Sequence, residues 1–142
     1  MKVVVDASVV VKWILPDFER EGQADHALAL LRGVQAGSVE PIQPPHWLAE
    51  VAAVLARLRP ETAELTLDLL DALELPVAAE IAIYRRAARL AVELGHHLFD
   101  TLYHAVALER GALLITADDH YRRKALHLGA VANLAAWSEP AG

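Results

Sequence analysis

Four acidic residues stand where carboxylates could do chemistry together. Asp6 follows the run Val3-Val4-Val5, and Asp118 closes the segment Leu114-Ile115-Thr116-Ala117-Asp118. Both acids therefore sit at the C-terminal ends of apolar strands, the edge at which open α/β sheets bind ligands. If the two strands are neighbours, the carboxylates face each other, and unpaired they would repel until one took up a proton. A divalent cation removes that conflict, and all-oxygen ligation favours magnesium or manganese over zinc. Glu50 lies one turn from His46 and Val54 and three residues after Trp47, at the border of a helix's apolar face. Asp100 follows Leu98-Phe99 and precedes a stretch apolar at Leu102, Ala105, Val106 and Leu108.

Each acid also has an ordinary explanation. Asp100 could be a helix N-cap, worth about 1 kcal/mol. Glu50 could be a solvated side chain, and Asp118 could end its strand and cap the next helix, with Asp119 competing for that job. Asp6 is the hardest to explain away, because an uncompensated carboxylate after three buried valines is costly. Asp119 is either an extra ligand or a solvated acid. Lys12, six residues from Asp6, could contact phosphate or simply pack at the surface. Arg57, Arg59, Arg85, Arg86 and Arg89 are the available cations, and the last three equally describe a solvated helix face. His96, His97 and His104 lack the spacing of a histidine zinc motif, so no histidine is expected as a ligand.

The elements that must position these groups follow from periodicity and breakers. Residues 2–6 and 112–116 read as buried strands, continuous and apolar as parallel-sheet interiors are. Ser8 caps a short helix over residues 9–13, stopped by Pro16. Ala24, Ala27, Leu28 and Leu31 predict a helix ending near Gly33. Residues 39–42 predict a second strand halted by Pro44-Pro45. Trp47, Val51, Val54, Leu55 and Leu58 line the next helix; Pro60-Glu61 opens another through Leu65, Leu69 and Leu73. A brief strand at 75–77, a helix over 79–94 closed by Gly95, and a helix from near Asp100 to Gly111 follow. A helix over 119–126 and a last strand at 130–133 complete the chain. The alternation predicts an α/β sandwich, mostly parallel, with four to five short strands covered on both faces. One domain over residues 1–142 is expected, with 140–142 a frayed end.

Composition sets the outer limits. The chain has 142 residues, 55% of them hydrophobic, which suits one domain with a real core. Thirteen basic against 19 acidic residues give a net charge of −6, the wrong sign for a protein that wraps a long duplex. A carboxylate metal site itself contributes negative charge that bound ions offset, so local substrate capture remains open. Absence of cysteine removes disulfides, thiol nucleophiles and thiolate metal sites and fits a reducing compartment. No secretory signal or membrane span is expected, since Asp6 and Lys12 interrupt the first apolar stretch.

Taken in order, the motifs Val5-Asp6-Ala7-Ser8-Val9-Val10-Val11-Lys12-Trp13, Pro45-His46-Trp47-Leu48-Ala49-Glu50-Val51-Ala52, Phe99-Asp100-Thr101-Leu102-Tyr103 and Leu114-Ile115-Thr116-Ala117-Asp118 resemble those of PIN-domain ribonucleases. The resemblance is specifically to the VapC-type toxin of type II toxin–antitoxin pairs, and it runs from Val3 to about Asn133. It implies a PIN-like three-layer sandwich and a Mg²⁺-dependent ribonuclease, with Mn²⁺ as a substitute, that hydrolyses RNA through metal-activated water. Products with a 5′ phosphate and a 3′ hydroxyl are implied. Asp6, Glu50, Asp100 and Asp118 are then both metal ligands and catalytic groups, supported by Ser8, Thr116, Asp119 and Lys12. A cognate antitoxin that blocks the cleft, a homodimer and a cytoplasmic location are also implied. Trp13, Phe18, Leu28 and Leu31 could line an antitoxin groove or pack in the core, and the face of Leu65, Leu69 and Leu73 is the candidate dimer surface. The chain departs from the family pattern at His104, usually apolar, which is read as a cleft-edge or surface choice. It also departs at residues 57–61, which are less basic than usual. Two competing readings are a PIN-like module without activity and a receiver-like, magnesium-binding signalling domain. The second is disfavoured because Asp6 is single, no Asp follows the strand near Ile42, and Asn133 rather than Lys follows the last strand.

Overall fold

Three consecutive valines and the run Leu114-Ile115 become the centre of a parallel sheet. In the computed structural model, which describes residues 1–15 and 23–139, β1 (Lys2–Val5) lies between β2 (Glu40–Pro41) and β3 (Leu113–Thr116), and β3 pairs with β4 (Val131–Asn133). All pairings are parallel, with Val3 opposite Leu113, Val5 opposite Ile115 and Thr116 opposite Asn133. Val3, Val4, Val5 and Ile115 are wholly buried, as strands covered on both faces must be. The helices are α1 (Ala7–Ile14), α2 (Gln23–Ala36), α3 (Trp47–Leu58), α4 (Ala63–Asp71), α5 (Ile81–Leu94), α6 (Leu98–Arg110) and α7 (Asp119–Ala125). They cover both faces of the sheet, so the expected three-layer α/β sandwich with four short strands is what forms. Among the described residues no helix is long and apolar enough to cross a membrane.

Several boundaries differ from the sequence expectation, each for a physical reason. The helix expected to stop near Gly33 runs on to Ala36. Gly33 is there for close approach: a Cβ on it would come within 2.7 Å of Cγ2 of Val39. The expected Ser8 cap is instead Asp6, whose side chain accepts from the Ser8 N–H. The strand expected at 75–77 is a single bridge between Gln43 and Val77. The helix expected near Asp100 opens at Leu98 with His97 as N-cap, so Asp100 sits in its first turn and does not cap it. The segment around Phe18 and the tail at 140–142 lie outside the described residues.

β2 is only two residues long, and a side chain continues its work. Gln43 is wholly buried, its Oε1 accepting from the Val5 N–H and its Nε2 donating to the Val5 carbonyl, both at 2.8 Å. Its own backbone bonds to the next segment, accepting from Ala78 N–H at 2.9 Å and donating to the Pro76 carbonyl at 2.8 Å. The amide side chain thus replaces a peptide unit at the end of β1.

Candidate metal centre

Asp6 leaves the sheet directly after β1, and its N–H still donates to the Ile115 carbonyl at 3.0 Å. Its Oδ2 accepts from the Ser8 hydroxyl at 2.5 Å and from the Thr116 hydroxyl at 3.1 Å. Those hydroxyls are themselves held: Ser8 Oγ accepts from Ala117 N–H at 3.1 Å and Thr116 Oγ1 from Asp118 N–H at 3.0 Å. A ring of short bonds therefore ties the ends of neighbouring strands together, and Asp118 caps α7 by accepting from the Tyr121 N–H at 3.1 Å.

Two further acids arrive from helices, each with a histidine one turn before it. His96 Nε2 donates to Asp100 Oδ2 at 2.7 Å. His46 Nε2 lies 3.2 Å from Glu50 Oε1, but its hydrogen is aimed at the Phe99 carbonyl, 2.8 Å away. Glu50 Oε1 is consequently buried without a hydrogen-bond partner. A small recess lined by Asp6, Asp100, Thr116, Asp118, Leu114 and Tyr121 collects the strand-borne acids and one helix-borne acid.

The electrostatics show crowded negative charge. Burial pushes the Asp6 carboxyl up to about 6, with Asp100 and Glu50 adding to the rise and the Ser8 and Thr116 hydrogen bonds opposing it. Burial, then the charges of Glu50, Asp6 and Asp100, lift the Tyr103 phenol far above the tyrosine range. A hydrogen-bonding interaction with Glu50 adds to the rise, although among the described residues neither the buried Tyr103 hydroxyl nor Glu50 Oε1 makes a bond of full geometry. Tyr121 is raised in the same way, by burial and then by Asp100 and Asp6.

Among the described residues, no three His, Asp or Glu side chains stand together as a ready-made chelate. Ser8 and Thr116 occupy one oxygen of Asp6, His96 one of Asp100, and Tyr121 N–H one of Asp118. In each case the other carboxylate oxygen accepts no bond among the described residues. That leftover set is all oxygen and anionic, the donor chemistry of a hard divalent cation such as magnesium or manganese.

The remaining singled-out residues fall outside the recess. Asp119 takes Arg122 Nε at 2.7 Å and Arg123 Nε at 2.8 Å, and the Arg122 bond holds its carboxyl below the usual range. Lys12 is half-buried in the last turn of α1. Arg57 borders a shallow depression with Glu50, Ala53 and Val54, while Arg86 pairs with Glu109 at 2.9 Å. His104 corrects the sequence reading, being neither at a cleft edge nor at the surface but wholly buried. Its Nε2–H donates to the Gly129 carbonyl at 2.7 Å, which leaves Nδ1 to accept from the Tyr121 hydroxyl at 2.9 Å. Sequence reasoning placed His46 one turn from Glu50 but missed His96, Tyr103 and Tyr121 as neighbours of the acids. The spacing of a histidine four residues before each helix-borne acid was the available signal.

Comparison with known proteins agrees with this geometry. The PIN domain family matches residues 3–126. No curated protein sequence matches the chain. Among solved structures, the VapBC2 complex of Rickettsia felis bound to a promoter DNA fragment is similar at TM-score 0.69 and 16% identity, over 94% of this chain and 98% of that one. A protein of Pyrobaculum aerophilum gives TM-score 0.66 and 21% identity over 95% and 90%. A toxin–antitoxin complex from Klebsiella pneumoniae gives 0.63 and 18% over 93% and 97%. With a family match across most of its length, the chain belongs to the PIN domain family.

Proposed function

We propose that this protein is a magnesium- or manganese-dependent ribonuclease and the toxin of a toxin–antitoxin pair. The observation that carries the reading is the recess at the C-terminal edge of a parallel sheet lined by Asp6, Asp100 and Asp118, each with one carboxylate oxygen that accepts no bond among the described residues, with Glu50 near enough to raise the Asp6 carboxyl. When bound, a divalent cation supplies a more acidic water and neutralises charge on the phosphodiester. Asp6 is the central ligand in this reading, with Asp100 and Asp118 sharing it. Glu50 holds a second ion or orients the attacking water through its buried Oε1. Ser8 and Thr116 fix the Asp6 carboxylate, so that its other oxygen is presented to the recess. His96 steadies Asp100 and accounts for that residue's orientation.

The toxin assignment rests on the family and on likeness to structures described as toxin–antitoxin complexes. It brings a cognate antitoxin, a cytoplasmic location and a homodimer as parts of the proposal. Leu65 and Leu69, each 64% exposed on α4, supply an apolar face for the dimer. The deciding experiment is cleavage of defined RNAs in magnesium and in manganese by wild type, Asp6→Asn and Asp118→Asn. Wild-type cleavage that both variants lose supports the reading; inert wild type, or a variant that matches it, overturns it.

A further inference from the structure

An acidic recess poses a problem for a polyanionic substrate: the phosphates flanking the reacting one need somewhere to rest without repulsion. The turn between α5 and α6 and the exposed side of α7 form an open cleft of about 590 Å³ lined by Ala91, Gly95, His96, His97, His120 and Lys124. That volume lies within the roughly 300–1,000 Å³ range of ligand pockets. No carboxylate lines it.

The cleft is joined to the metal centre through single residues. The His96 ring lines it while its Nε2–H reaches Asp100, and His120 lines it beside Tyr121 of the recess. Lys124 Nζ donates to the Gly95 carbonyl at 3.2 Å and lies 3.4 Å from His96 Nδ1. Among the described residues it touches no carboxylate, in contrast to Arg122 and Arg123 on the same helix, which Asp119 neutralises. An ammonium has three donors, so one remains for an anion. His97 and His120 are exposed, and each imidazole can donate one N–H without carrying charge. The His96 and His120 rings stand 6.3 Å apart in the cleft wall, and the exposed His120 ring is one on which a base can stack.

We infer that this cleft is the subsite for the nucleotide next to the scissile bond, with Lys124 and His120 holding its phosphate. The inference rests on the ribonuclease reading. It makes Lys124 the substrate-strand anchor on the α7 side, and it explains how a chain of net charge −6 holds a polyanion: locally, beside the acids.

The test uses a fluorescently labelled single-stranded RNA decamer, its anisotropy with wild type, Lys124→Met, Lys124→Arg and His120→Gln across a salt series, and steady-state cleavage in manganese. Lys124→Met is expected to weaken binding about tenfold at low salt and to lower the slope of log affinity against log salt by roughly 0.7, one phosphate contact on a single strand. In cleavage KM rises more than kcat falls, and Lys124→Arg restores most of the binding. His120→Gln, a change at an exposed position, weakens binding about threefold through one lost hydrogen bond. If Lys124→Met and His120→Gln keep wild-type affinity and salt slope while wild type cleaves the RNA, the subsite is wrong and the ribonuclease reading stands. A wild type that neither binds nor cleaves the RNA overturns both.

Discussion

The acids carried by strands and the acids carried by helices are held in different ways. Asp6 and Asp118 stand on adjacent strand ends, and their geometry is set by backbone register plus a closed ring of Ser8, Thr116 and backbone N–H groups. Glu50 and Asp100 arrive on α3 and α6, and their neighbours are histidines one turn earlier. The strand side is therefore preorganised by the fold itself, whereas the helix side depends on how two helices pack and on which hydrogen bond each imidazole makes. Preorganisation at a strand edge tolerates little change, and placement from a helix allows adjustment.

That contrast can be broken by comparing losses. Asp6→Asn and Asp118→Asn should each lower cleavage about 10³-fold, a few kcal/mol of transition-state stabilisation at 1.36 kcal/mol per decade. Glu50→Gln should cost less, about 10- to 100-fold, as for groups that tune rather than anchor a metal. Single-turnover cleavage of one RNA by all three variants decides it; a Glu50→Gln loss as deep as that of Asp6→Asn would erase the distinction.

The two sides are linked through His104 of α6, which bonds to Tyr121 of α7 and to Gly129. His104→Leu leaves a buried hydroxyl and a carbonyl unpaired and should destabilise by about 2–4 kcal/mol in urea unfolding. Burial holds the His104 imidazole below its ordinary range. A depressed imidazole contributes stability above the unfolded value near 6.5, and that stability is lost as pH falls through the folded value. His104→Leu should therefore show a weaker acid-side loss of stability below pH 6.5.

Asp6 works in the opposite sense. Its carboxyl, raised to about 6 by burial and then by Asp100 and Glu50, favours the protonated form in the folded protein. The stabilising effect is present at low pH and is lost as pH rises through about 6, so in EDTA at pH 7.5 Asp6→Asn should gain about 2 kcal/mol. The same protonation competes with metal. The manganese concentration for half-maximal cleavage should rise about tenfold per unit below pH 6 and flatten above pH 7. A metal requirement independent of pH would show that Asp6 is not a ligand. On the strand side, Thr116→Val should cost about 1–2 kcal/mol by orphaning the Asp118 N–H; an unchanged midpoint would mean the ring at the strand ends is dispensable.

The legible parts of this molecule were those written in continuous local pattern. Val3-Val4-Val5 and Leu114-Ile115 read as central parallel strands because both faces are covered, and their trailing acids could be paired before any coordinates. The PIN-like sandwich likewise followed from the order of elements and the family resemblance. What stayed hidden depended on partners distant in sequence. Gly33 reads as a helix stop until Val39 lies against it, and His104 reads as a surface choice until Tyr121 and Gly129 close over it. Asp100 reads as a cap because the residues that start α6 two positions earlier are Leu98 and Phe99, which carry no capping signal.

Gln43 carries a consequence for motion. With its amide clamped on both the N–H and the carbonyl of Val5, the last peptide of β1 can exchange its hydrogen with solvent only when a wholly buried side chain leaves its slot. Such amides open with the global unfolding of a domain rather than by local fraying. The amide just before Asp6 should therefore be among the last in the protein to exchange.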